Sequence, residues 1–90
     1  MKFGKNIKLK GIKMTKDIKE RIEIDLYKFE ESIKEINPET KEKYKHIIDL
    51  AQRYYSDTKY FVEKGDLVTA FGAIVYAHGL IDALKKLNEK

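Results

Sequence analysis

Two histidines, six tyrosines and no cysteine are the raw material for chemistry in this chain. His78 sits in the apolar run "FGAIVYAHGLIDAL" (Phe71–Leu84), with Asp82 four residues later. At that spacing on a helix a carboxylate can accept from one ring nitrogen and fix the tautomer, the orienting half of a catalytic or metal site. The other half is missing from the pattern. A di-iron bundle places Glu three residues before the His, and here that position is Val75. His46 falls on the outer side of its helix, so the two imidazoles do not converge. No thiol is available as nucleophile, and Ser32 and Ser56 lie off the core faces. The expectation is a structural His78–Asp82 pair and no catalytic residue, with ligand or nucleotide binding at the His78/Asp82 region as the alternative. A second cluster, Arg53 and Tyr60 beside Asp57, reads either as a contact patch for a protein or nucleotide or as an Asp49–Arg53–Asp57 surface ladder. Neither cluster implies a cofactor or a metal.

Helices must position these residues. Ninety residues make one domain, close to the lower size at which a single core suffices. After Met14 no segment alternates with the period of a strand. Thr15 is the expected cap of a first helix over about 15–36, in which Ile18, Ile22, Leu26, Phe29, Ile33 and Ile36 share an arc of about 80°. Asn37-Pro38 ends it and opens a second helix over about 38–64. That helix groups Tyr44, Ile47, Ala51, Tyr54, Tyr55, Thr58, Phe61 and Val62 on one face, where the hydroxyls of Tyr54 and Tyr55 need partners. "KGD" then makes the turn, Gly65 as left-handed C-cap and Asp66 as the cap of a third helix over about 66–88. The expected fold is all-α, an up-and-down three-helix bundle with a short basic N-terminal tail. Its core includes Ile22, Phe29, Ile47, Ala51, Phe61, Ile74, Ala77 and Ile81.

The third helix is apolar on two sides. Leu67, Ala70, Ile74, Ala77, Ile81 and Leu84 form the expected core face. Val68, Gly72, Val75, Tyr76, Gly79 and Ala83 form another, centred roughly opposite. Each mid-helix Gly costs about 1 kcal/mol against Ala, and small residues at this spacing let another helix approach closely. Either the first helix or a second subunit is expected there, with a homodimer or a helical protein partner preferred.

Charge narrows the partners further. Residues 1–13 hold five Lys and no acid; the remainder has 14 basic against 15 acidic residues, a net of −1. The basicity belongs to a tail or leader expected to be disordered, with an edge strand as the alternative for "IKLKGIK". Such a tail adds only weak, salt-sensitive affinity for nucleic acid. The apolar runs look too short and interrupted to cross a bilayer, and residues 1–13 lack the apolar core of a secretory signal. No membrane contact and a cytoplasmic location are therefore expected. The Lys-, Glu- and Ile-rich composition with a single Gln (Gln52) is of thermophile type. Arg53 is not followed four to six residues later by His, as a HEPN-type ribonuclease would require. A tetratricopeptide array would need repeated hairpins, and no phosphate-binding loop is present.

The stretch "RYYSDTKYFVEKGDLVTAFGAIVYAHGLIDAL" (Arg53–Leu84) resembles the archaeal family called domain of unknown function 357. The residues that carry the resemblance are Arg53, Tyr54, Tyr55, Tyr60, Phe61, Lys64, Gly65, Asp66, Thr69, Ala70, Phe71 and the segment Tyr76–Ala83. The resemblance implies a three-helix bundle with no assigned activity and no catalytic residues to carry over. The family is also similar to a segment found beside nucleotidyltransferase-type domains. The functional expectation is thus a non-enzymatic helical interaction module, a helper of nucleotidyltransferase or nucleic-acid systems.

Overall fold

The computed structural model describes the backbone of residues 2–88 and the side chains of residues 17–87. Among the described residues the chain is all helical, with no strand: α1 (Lys2–Lys34), α2 (Pro38–Lys43), α3 (Lys45–Glu63) and α4 (Leu67–Asn88). Thr15, expected to cap the first helix, lies within α1, whose backbone is helical through the basic segment. Residue 1 and the side chains of residues 2–16 lie outside the described part, and with them whatever the five lysines face.

Local signals set the junctions. Asn37 has extended backbone and its side-chain oxygen accepts from the Thr40 N–H at 2.8 Å, with Pro38 in the first turn where no donor is required. At the α3–α4 turn the Gly65 N–H donates to the Val62 carbonyl and the Asp66 N–H to the Phe61 carbonyl. This Schellman pair needs a left-handed residue, and Gly65 has φ 82°. Asp66 then accepts from the Thr69 N–H at 3.2 Å and starts α4.

The expected helix over 38–64 is two helices. Tyr44 leaves the helical region (φ −114°, ψ 37°) and separates α2 from α3. The surrounding "KEKYKH" is almost wholly polar, so no apolar stripe holds the two pieces collinear. The bend carries α2 back to the C-terminal end of α4, where Tyr44 packs against the core cluster.

α4 makes most of the helix–helix contacts, against α3 along the hairpin and against α1 on its other flank; α1 and α3 meet only briefly. The core is Ile22, Phe29, Ile36, Ile48, Ala51, Ala70, Ile74, Ala77, Ile81 and Leu84. Burying each large aliphatic or aromatic side chain contributes about 1.5–3 kcal/mol. Ile47 and Phe61, expected in the core, are only partly buried; Ile48 and Thr58 of α3 are buried instead. Thr58 is wholly buried, its hydroxyl donating to the Tyr54 carbonyl at 2.8 Å, which satisfies the donor inside its own helix.

One expectation about hydropathy is corrected. Leu67–Leu87 is long and apolar enough, by length and composition, to cross a membrane, with a mean hydropathy of 1.6. The window reaches that average because Ile, Leu, Val, Phe and Ala outweigh its few polar residues. A third of that window is buried, and the core helix of a soluble protein passes the same test.

Candidate functional site

His78 is half-buried on the flank of α4 that faces α1. Its Nε2 lies 2.8 Å from the Asp25 carbonyl oxygen. A carbonyl only accepts, so Nε2 carries the proton and Nδ1 is the acceptor nitrogen of the neutral ring. The edge of the ring meets Phe29, centroids 5.9 Å apart. The Asp25 carboxylate pairs in turn with Arg21 at 3.7 Å, and the Arg21 guanidinium stands over the Phe71 ring at 5.7 Å. His78 therefore ties α4 to α1. The expected bond to Asp82 is absent among the described residues, and Asp82 is exposed. The physical reason is competition: a part-buried carbonyl on a neighbouring helix is held in place, whereas a solvated carboxylate on the same helix gains little by giving up water. Among the described residues no group of three or more His, Asp or Glu side chains is arranged to hold a metal.

The second cluster is dispersed. Asp49 pairs with Lys45 at 3.3 Å, so the Asp49–Arg53–Asp57 ladder does not form. Arg53 is exposed and makes no ion pair among the described residues. Tyr60 is exposed, edge-on to Phe61 at 5.1 Å and beneath the Lys64 ammonium at 5.4 Å.

A groove of about 440 Å³ between α1 and α3 has no counterpart in the sequence reading. Phe29 and Ile33 line it, with Glu30, Lys34, Gln52, Tyr55 and Ser56 around them. The Tyr55 ring stacks on Phe29 at 4.9 Å and carries the Lys59 ammonium 4.6 Å from its centroid. Its hydroxyl donates to the Glu30 carboxylate. Burial first, and then this hydrogen bond, push the Tyr55 phenol above its ordinary range, against the opposing pull of Lys59. Tyr55 thus finds its hydroxyl partner on α1. The sparse meeting of α1 and α3 that opens the groove is a property of packing, which periodicity along either helix does not show.

The outer face of α4 is an uncovered apolar feature. Val68 is 77% exposed, Val75 49% and Tyr76 51%, whereas the core residues of the same helix are almost wholly buried. Gly72, Gly79 and Ala83 are exposed between them. A Cβ added at Gly72 or Gly79 would meet nothing within 4 Å. Among the described residues, α1 therefore does not occupy this face. The Tyr76 ring leans aside against Tyr54, centroids 4.7 Å apart, and leaves the two glycines open.

These features define a small all-helical protein whose central helix presents an uncovered apolar face. The chain belongs to the family described as protein of unknown function (DUF357), whose model matches residues 13–89. The match starts at the last lysine of the basic segment and takes in every residue that carried the resemblance. No curated protein and no solved structure matches the chain.

Proposed function

We propose that the chain is a non-enzymatic helical interaction module: a three-helix up-and-down bundle of α1, α3 and α4, working in the cytoplasm, that receives another helix on the outer face of α4. The carrying observation is the exposure of Val68, Val75 and Tyr76 around two glycines that nothing among the described residues covers. An apolar face of this kind left in water is an association site on so small a protein. Two solvated mid-helix glycines would cost about 2 kcal/mol together with no compensating contact. The partner is a second subunit or another helical protein; nucleic acid would be touched only weakly, through the basic segment. A role as helper of nucleotidyltransferase or nucleic-acid systems is the biological setting we attach to this reading, on family resemblance.

A tagged copy used as bait in native extract tests the docking face. Wild type and a chain lacking residues 1–13 should both retain a protein partner, an untagged copy of the chain included. Gly79→Leu should lose it while melting no lower than wild type, because its side chain enters open space. Retention that survives Gly79→Leu would remove α4 from the reading.

A further inference from the structure

We propose that the helix received by α4 is α4 of a second copy, antiparallel to the first about a two-fold axis passing between Val75 and Tyr76; this rests on the docking reading above. The order of residues along the outer face is what selects this partner. Run backwards about that axis, Gly72 stands opposite Gly79, and bulky Val68 opposite small Ala83. Two glycines facing two glycines allow the closest approach of the axes, and a large residue against a small one fills the ends. The face is thus complementary to itself reversed, which is the condition for an isologous interface that closes at two subunits.

Charge agrees with the same register. The outer face carries its charged groups at its C-terminal end, Asp82 and exposed Lys86, and the exposed cap Asp66 lies just before its first turn. The antiparallel arrangement brings Lys86 of one copy to the level of the exposed cap Asp66 of the other. The Asp66 carboxylate uses one oxygen on the Thr69 N–H and keeps acceptor capacity for an ammonium. A parallel pair would instead set Lys86 against Lys86 and Asp82 against Asp82, with the helix dipoles aligned. The position of Tyr76, held aside by Tyr54, keeps the centre clear for either copy.

The chain has no cysteine, so single cysteines report the register directly. Under mild oxidation Val75→Cys, next to the axis, should yield a disulfide-linked dimer. Val68→Cys should not, because its two copies lie some fifteen residues apart along the pair, roughly 22 Å, far beyond the ~7 Å that a disulfide spans between Cα atoms. Mixing Val68→Cys with Ala83→Cys should give the mixed dimer. Cross-linking of Val68→Cys as readily as Val75→Cys would overturn the antiparallel register. Sedimentation as a monomer, with no cross-link at any position, would overturn the second copy as partner. A Gly79-dependent partner retrieved from extract would then leave the docking reading standing, and a Gly79-independent one would remove both.

Discussion

Along α4, Ala70, Ile74, Ala77, Ile81 and Leu84 point inward and are almost wholly buried, while Val68, Gly72, Val75, Gly79 and Ala83 point outward and are exposed. The two rows use nearly the same kinds of residue. What separates them is the company each keeps: α1 and α3 both pack on the inward side, and among the described residues nothing meets the two outward glycines. Residue type alone therefore does not tell a buried stripe from an exposed one. The distribution of bulk does. The inner row has no glycine and interleaves Ile and Leu with Ala, which fills a space bounded by two helices. The outer row has two glycines a heptad apart, which leaves a shallow channel suited to one helix laid close along it.

The inner row is where the largest effect should fall. Ile74→Ala removes a fully buried side chain and should lower unfolding free energy by about 2–5 kcal/mol. Val75→Ala, one residue on and half exposed, should change the stability of the isolated chain by about 0.5 kcal/mol or less. Comparing the two by denaturant titration, at a concentration where the chain is monomeric, tests the division of the faces; equal losses would abolish it.

The hairpin that holds α3 to the inner face gives an intermediate effect. Gly65 is left-handed and its surroundings are empty, so a side chain there meets backbone strain rather than a clash. Gly65→Ala should cost about 1–2 kcal/mol, read as a lowered melting temperature with unchanged helix content. An unchanged melting temperature would mean that the turn does not hold the two helices in place.

The smallest effect belongs to the weak meeting of α1 with α3. The Tyr55 phenol is shifted upward by burial and by Glu30, so the folded state keeps its proton after the unfolded chain has lost it. The associated stability is full below the unfolded phenol range, near pH 10, and is lost as pH rises through the folded value. Tyr55→Phe should therefore flatten the decline of stability on the alkaline side of pH 10, measured by thermal melts across that range. A decline as steep as in wild type would assign it to other groups.

Several features were legible in the sequence because they act over a few residues. Asn37-Pro38, Gly65 and Asp66 read as caps and are caps, since each answers donors or carbonyls within one helical turn of itself. The inner row of α4 followed from periodicity, because a single stripe must meet the core. The all-helical class followed from the absence of any strand-period segment after Met14. Tertiary structure decided the rest. Periodicity showed a second apolar face on α4 but not that it stays open, since that depends on where α1 comes to lie. The break at Tyr44 arises because α2 turns back towards α4 rather than continuing α3. His78 bonds to Asp25, fifty-three positions away in sequence, instead of to Asp82. A helical wheel records only neighbours along one helix, whereas burial and the choice among hydrogen-bond partners depend on what the opposite element brings.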